Sequence, residues 1–443
     1  MKTRATRGEG LSPEASAAAD AVLREVHRTF TPATVNEFRE GTGYNPRQRV
    51  ATAHRVLLTV VEAFLVGQTL SFASLRAIFV RRFGFVRSCP FQRRFKQESA
   101  VAFFRAALAY VVSSVVNAAG LELRGPLAQF SDVRVYDGTG QRVPPRGRDA
   151  LPACTKGRAG TKWVIGYSIK TGLIEHGTCG AETASETPLW RSLVPQLAAG
   201  ALYLLDLGFF ERQLFEDAQI AGAHVLMRLK SNAKVRVVGQ FSDKRHEAIP
   251  NWSPSYFLTA LPSRRRGTLV DLDVIWGRGR EAVELRLVGV FHTSRTVRWY
   301  LTTVPRDMLN AEQIVQAYRL RWLVELLFRE LKQNTDLGRS FTADAHAVEA
   351  LTYGAMIAHV LVRSLRIQAA LANEIPLEQL RPLACLHVAR AFARDIVDAL
   401  ASGSVAWNSV VHRIGDALSI VARELKPSRS RPRIALQLGA IGA

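Results

Sequence analysis

Cysteine is scarce. Four residues, Cys89, Cys154, Cys179 and Cys385, are scattered through 443 positions with no CxxC and no Cys/His pairing. That excludes a disulfide-framed scaffold and a zinc site of ordinary ligand spacing, and it points to a reducing, cytoplasmic compartment. Long apolar runs are missing too. The longest uncharged stretch, Ala106 to Leu121, holds sixteen residues and includes Asn117. A bilayer-spanning helix needs about 20, so no membrane partner is expected. The opening MKTRATRGEG has no apolar core and does not read as a secretory signal. Glycine (31) and proline (18) are ordinary and aromatics are present, which excludes collagen-like and disordered chains. Gly138-Thr-Gly140 and Gly277-Arg-Gly279 lack a nucleotide-binding context, the ten histidines show no metal spacing, and neither a nucleophile elbow nor HExxH occurs.

Acidic residues are also few beside basic ones. With 38 Asp+Glu against 59 Lys+Arg the net charge is +21, which favours a polyanionic partner, nucleic acid first and a membrane surface second. The length suits two or three domains. Residues 1–125 read as helical, with Ser12-Pro13-Glu14 and Thr31-Pro32 as cap-and-proline starts and an apolar helix from about Arg49 to Leu65. A short helix, about Phe72 to Phe83, breaks at Gly84. A second helix opens near Pro90, bearing Gln92, Arg93, Arg94 and Lys96, with Arg87 on its approach. This outline resembles a helix-turn-helix, whose second helix lies in a major groove, and equally a plain solvated basic hairpin.

From about 130 the apolar period shortens. Val133 and Val135 lead to Asp137 as a strand would, and further strands fit Lys162–Lys170, Ile174–Cys179, Ala201–Leu205 (ending at Asp206) and His224–Leu229. Helices fit Thr187–Ala198 and Glu211–Ala221, so the expectation is an α/β sheet, at least partly parallel. A β-rich stretch follows over about 231–300, with strands at Tyr256–Leu261, Asp271–Trp276, Val283–Phe291 and Thr296–Thr303 and the run Arg264-Arg265-Arg266. One long helix is expected from about Ala311 to Leu337. Beyond it the chain is helical and apolar and ends in a basic tail with Lys426, Arg429, Arg431 and Arg433, expected to be disordered.

That long helix carries Tyr318-x2-Arg321-x3-Glu325-x6-Lys332. At about 100° per residue these four fall within about 60° of arc, with Leu320, Leu323, Leu327 and Leu331 on the opposite side. A solvated face with i,i+4 ion pairs explains such a stripe in isolation. Two further carboxylates shift the balance. Asp137 in Val-Tyr-Asp-Gly-Thr and Asp206 in Leu-Leu-Asp-Leu-Gly-Phe each follow apolar strand residues, and ligands of open α/β sheets collect at strand ends. A lone strand-end Asp is more often a turn or helix cap. Three oxygen-only acids suit Mg²⁺ or Mn²⁺, and two such ions about 3.5–4 Å apart serve phosphodiester chemistry.

Together these residues resemble the bacterial DDE transposases of insertion-sequence family four, the YREK-signature group. Asp206-Leu-Gly-Phe-Phe, Leu214-Phe215, Gly222 and Arg228-Leu-Lys230-Ser-Asn232 match that family's second-aspartate segment, and Asp137-Gly-Thr matches its first, over about 130–345. The resemblance implies a ribonuclease-H-like catalytic core (126–345) with a β-rich insertion, flanked by a helical DNA-binding region (1–125) and a helical C-terminal region with a basic tail (346–443). It implies Asp137, Asp206 and Glu325 as catalytic metal ligands for two Mg²⁺ or Mn²⁺ ions. Tyr318, Arg321, Lys332, Trp299, Arg228, Lys230, Arg93, Arg94 and Lys96 are the expected DNA-binding residues. The implied partners are double-stranded DNA at transposon ends and target, and a second protomer in the end complex, at the bacterial nucleoid. Leu207 departs from the arginine common in the family. Two other readings stay open: a transposase-derived DNA-binding protein without catalysis, and a ribonuclease-H-like nuclease. Trp299 reads either as a core residue of an alternating strand or as a stacking platform for a base turned out of the duplex, with Arg298 on the opposite strand face.

Overall fold

The structure, a computed structural model, describes residues 13–421 except 46–48, 68–69, 193, 243–244, 261–264, 294–295 and 335–336. Ser12, Arg264, part of the Tyr256–Leu261 stretch and the basic tail from Lys426 to Arg433 lie outside the described residues. Leu123–Arg329 forms one compact unit, and the described residues of Met1–Glu122 and Glu330–Arg431 form another.

The first unit is built on one sheet. Its strands are β1 (Val133–Val143), β2 (Ala159–Ser168), β3 (Ile174–Ala181), β4 (Leu202–Leu205), β5 (His224–Arg228), β6 (Val235–Ser242), β7 (Arg245–Trp252), β8 (Leu269–Trp276), β9 (Val283–Phe291) and β10 (Val297–Thr302). Their order is β3-β2-β1-β4-β5-β10-β9-β8-β6-β7. β1, β2 and β3 are mutually antiparallel, whereas β1, β4 and β5 run parallel. The order 3-2-1-4-5 with that mix of directions is the ribonuclease-H-like core. β4 is buried at all four positions, as a central parallel strand covered on both faces must be. The β-rich stretch does not form a separate layer; through β10 on β5 it extends the same sheet.

Three local expectations are corrected. Asp137 does not end its strand, because β1 runs on to Val143. The described part of Tyr256–Leu261 is helical within Pro254–Ala260, where the Ser253 hydroxyl accepts the Tyr256 N–H at 3.1 Å as a cap. The single helix of Ala311–Leu337 is two, Ala311–Arg319 and Trp322–Asn334, parted by a turn at Leu320 and Arg321.

The other unit is helical. Helices Pro13–Thr29, Pro32–Gly41, Ala53–Val66 and Phe72–Phe83 open it, and Thr31 caps the second with proline at its first turn, as expected. The second helix of the expected pair is short. Ser88–Arg93 has only six residues, and Arg94 lies buried, 9% exposed, beside fully buried Phe95. Phe91 and Phe95, with ring centroids 5.6 Å apart, both turn inward and carry Arg94 with them, while Arg93 and Lys96 stay exposed. Glu98–Ala119 and Ala345–Ala372 are long and apolar enough to cross a membrane by length and composition. Within their unit they are packing helices, with 50% and 83% of their most apolar windows buried. Gly354 permits one close crossing, since a Cβ there would meet Val60 Cγ1 at 2.3 Å.

One buried ionic clamp fixes the approach to the helix at Ala311. Arg286 of β9 donates from Nη2 and Nε to Asp271 of β8 at 2.6 and 3.0 Å, and from Nη1 to the carbonyls of Leu309, Pro305 and Val304. Arg306 joins the cluster through Asp271 and Asp273. Removing one member of a buried pair costs about 3–5 kcal/mol because the remainder keeps its desolvation penalty. Arg286→Ala is expected to lower the unfolding free energy by about 3 kcal/mol in urea titration; a loss under about 1 kcal/mol would show that the clamp is dispensable.

Candidate active site

Strand register alone brings two carboxylates together. Tyr136 of β1 pairs with Leu205 of β4, so the next residues, Asp137 and Asp206, are neighbours across a parallel pair. Asp137 is largely covered (17% side-chain exposure) and Asp206 more open (40%). One Asp137 oxygen accepts the Gly138 N–H at 2.8 Å, which fixes the carboxyl rotation. Glu325 comes from the first turn of Trp322–Asn334.

Arg321 joins the three. Its Nη1 lies 3.0 Å from Asp137 Oδ2, its Nη2 2.7 Å from Glu325 Oε1, and its Nε 4.0 Å from Asp206 Oδ1. Burial works against the charged guanidinium, but the Glu325 hydrogen bond and the Tyr318, Asp206 and Asp137 groups outweigh it, so its pKa is raised. Among the described residues no three His, Cys, Asp or Glu side chains stand close enough together to hold a metal ion as placed. The cation between these acids is Arg321. The donor chemistry nevertheless fits a hard divalent cation: carboxylate oxygens only, converging on a place already occupied by positive charge.

Of the expected DNA-binding residues, Tyr318 is buried. It is 7% exposed, and its hydroxyl donates to the Leu205 carbonyl at 3.1 Å, bracing the helix Ala311–Arg319 against the last residue of β4, next to Asp206. Burial pushes the phenol above its ordinary pKa and keeps it a donor. Lys332 is exposed two turns beyond Glu325 on the same helix, and Arg228 and Lys230 are exposed at the end of β5. Trp299 is half-buried and packs against the sheet core, yet it also lines a cavity together with Arg228 and Lys230. Arg298 lines the same cavity, contrary to the expectation from strand alternation. Lys234, Arg236, Arg278 and Trp276 stand there too and were not singled out from the sequence. Their signal was the spacing Arg228-x-Lys230 followed by Lys234-x-Arg236.

The adjacent aspartates and the glutamate on a following helix lie on the 3-2-1-4-5 core as a candidate acid triad. Residues 128–361, just over half of the chain, match the family model of the transposase DDE domain, and the chain belongs to that family. The family generally uses divalent metal ions. The transposase of insertion sequence element IS231F from Bacillus thuringiensis subsp. israelensis is 21% identical over 275 residues, 54% of this chain and 57% of the relative. The transposase of IS231C from B. thuringiensis subsp. berliner is 20% identical over 369 residues, 75% and 77% of the two chains. The chain thus spans little more than half the length of the first of these. The piggyBac transposase in a synaptic complex with hairpin DNA aligns over 96% of this chain and 90% of its own at 12% identity, with a TM-score of 0.44.

The Tyr318 hydrogen bond gives a direct check. Tyr318→Phe keeps the ring and loses only the donor, so a stability loss of about 1 kcal/mol is expected in chemical denaturation. An unchanged midpoint would mean that the hydroxyl does not brace β4.

Proposed function

We propose that the protein is a DNA transposase that binds the terminal inverted repeats of an insertion sequence, hydrolyses the phosphodiester at each end and joins the freed 3′-OH to target DNA. The observation that carries this reading is the adjacency of Asp137 and Asp206, set by the Tyr136–Leu205 register, with Glu325 tied to Asp137 through Arg321. Asp137, Asp206 and Glu325 would hold the metal, Mg²⁺ or Mn²⁺ and two ions in the full site. When bound, such ions activate the attacking oxygen and stabilise the leaving one. The chain's own part is to position. Arg321 presents a guanidinium suited to bidentate phosphate contact beside the acids. Lys332 adds a point charge along the same helix, and Arg228 and Lys230 add others at the end of β5. Neither hydrolysis nor strand transfer needs a covalent protein–DNA intermediate, so the absent nucleophile motif is consistent. Pairing two ends calls for two protomers acting together at the nucleoid.

Two experiments test this. Asp137→Ala, Asp206→Ala and Glu325→Ala should each abolish Mg²⁺-dependent nicking of an end-bearing duplex, by at least about 100-fold, while gel-shift affinity for that duplex stays within a few-fold. Folded variants that still nick at the wild-type rate would remove the acid triad from the mechanism. Trp299→Ala separates stacking from packing. Normal first-strand nicking with lost hairpin formation and an unchanged melting temperature supports a base platform. A large fall in melting temperature with both steps lost marks Trp299 as core.

A further inference from the structure

Two carboxylates and one guanidinium are buried together where β1 begins, and nothing in the proposed reaction uses them. Asp132 is 6% exposed and Glu175 7%. Glu175 gets there through a bulge: Gly166 of β2 pairs with His176 of β3 and Tyr167 with Ile174, so Glu175 is the extra residue and turns inward. Asp132 Oδ1 accepts the Val133 N–H at 2.7 Å and the hydroxyl of Ser168, on β2, at 3.0 Å. Arg134 donates from Nε to Asp132 Oδ2 at 3.2 Å and from Nη1 to the Tyr203 hydroxyl of β4 at 3.1 Å. The Asp132 carbonyl takes the Leu202 N–H at 2.9 Å, the rung that opens the pairing of β1 with β4. Four strands thus meet at one cluster. Arg134 and Tyr203 are register partners, each three residues before an aspartate of the Asp137–Asp206 pair.

The charges do not balance unless a proton is added. Glu175 Oε2 lies 2.7 Å from Arg134 Nε, but that single N–H is aimed at Asp132, and among the described residues the buried oxygen has no hydrogen-bond partner. A proton between the two carboxyls supplies one and leaves an acid, a carboxylate and a guanidinium, neutral in sum. Asp132 already accepts from Val133, Ser168 and Arg134, so it keeps the negative charge and Glu175 the proton. Burial and Asp132 push Glu175 up to about 8, against the pull of Arg134 and Lys170. Burial raises Asp132 as well, so the two acids titrate as a pair. The other groups facing them hold their state. Burial and Arg134 push His176 down to about 4, burial raises Tyr136 and Tyr203, and Arg134 stays charged because Glu175, Tyr203 and Asp132 outweigh its burial.

We propose that Asp132, Arg134 and Glu175 are positioning residues that form a one-proton lock, holding β1 and β4 in the register on which the Asp137–Asp206 adjacency depends. Closed, the lock is neutral. Opening breaks the Glu175 O–H bond and releases the proton to solvent, which leaves two carboxylates facing one N–H with a net charge of −1, and the rungs between β1 and β4 slacken. Folded Glu175 holds its proton more tightly than its ordinary value of 4.5, so the closed state is favoured at low pH and lost as pH rises through about 8. The effect on nicking rests on the transposase reading; the lock itself does not.

The test compares the full wild-type chain with Glu175→Gln, whose amide donates to Asp132 at any pH. Infrared difference spectra between pH 7 and pH 9 should show the wild type losing a protonated-carboxyl band with a midpoint near 8, and Glu175→Gln lacking that band. Such a group is about nine-tenths protonated at pH 7 and about one-tenth at pH 9. Hydrogen exchange of peptides covering β1 and β4, corrected for the intrinsic effect of pH, should therefore quicken about 10-fold over that range in the wild type and stay level in Glu175→Gln. The ratio of the Mg²⁺-dependent nicking rate at pH 9 to that at pH 7 should be about 10-fold higher in Glu175→Gln than in the wild type. Asp132→Asn, which leaves one carboxylate for one guanidinium, should level the exchange too and keeps the test open if the glutamine variant fails to fold. No carboxyl band lost, or the same pH dependence of exchange in wild type and variants, would overturn the lock. Exchange quickened equally at both pH values in the variants would also overturn it, marking the cluster as packing alone. Active wild type and Glu175→Gln with identical rate ratios would overturn the positioning role. Nicking absent from the wild type at every pH would remove the transposase reading, while exchange still decides the lock.

Discussion

Parallel pairing of β1 with β4, in the register that sets Tyr136 against Leu205, obliges two carboxylates to stand side by side. Unit charges 4 Å apart at an effective dielectric of 20 repel by about 4 kcal/mol, so adjacent acids in a half-covered site need a cation between them. Arg321 meets that need from the turn between two helices, within 4.0 Å of all three acids. The turn itself follows from the same requirement. Tyr318 is held by the Leu205 carbonyl on one side and Arg321 by Asp137 on the other, and the backbone between them shifts to i→i−3 bonds, from Arg321 N–H to Tyr318 and from Val324 N–H to Arg321. An unbroken helix would carry these residues on one stripe. The turn lets Tyr318 point into the core while Arg321 reaches the acids.

The third acid depends on the far side of the sheet. Glu325 is placed by the segment that leaves β10, and that segment is pinned where Arg286 gathers the carbonyls of Val304, Pro305 and Leu309 while gripping Asp271. Asn310 and Gln313 then start the next helix with a reciprocal capping box. The strands inserted between the second aspartate and the glutamate therefore do more than add a wall. By continuing the same sheet they give that helix a rigid launching point, so the distance from Asp206 to Glu325 in sequence does not loosen them in space.

Much of this was legible in the residues, and the failures have physical causes. β4 and the Asp206 that follows it stood out because four apolar residues in a row precede a carboxylate. β1 was read as ending at Asp137 because its second half buries polar groups: Thr139 and Gln141 face inward, and Gln141 accepts hydrogen bonds from Thr161 and Trp163 on β2. A buried polar face defeats hydrophobic alternation. The turn at Arg321 contains no glycine or proline, so only tertiary anchoring reveals it. The residues Tyr256-Phe257-Leu258 favour a strand by type, but the Ser253 hydroxyl caps their backbone as a helix. Arg94 was placed on a surface from its charge, whereas the flanking aromatic residues decided its burial.

The net charge of +21 acquires meaning from how its opposites are distributed. In the sheet unit the covered acids are neutralised locally: Asp271 and Asp273 by Arg286 and Arg306, and Asp132 and Glu175 by Arg134. Glu175 is pushed up to about 8 by burial and the neighbouring Asp132, which lightens that buried charge further. The acids at the functional end are different. With Arg321 among them, Asp137, Asp206 and Glu325 keep a net negative charge, which alone would repel phosphate. The cavity that opens at the next residue, Leu207, is lined by six cations and no carboxylate, which reverses the sign of the field over a short distance. Under the proposed function, a DNA strand drawn by that field would approach the acids from the cation-lined side. A phosphate can therefore be presented to a triad of carboxylates without the triad having to attract it.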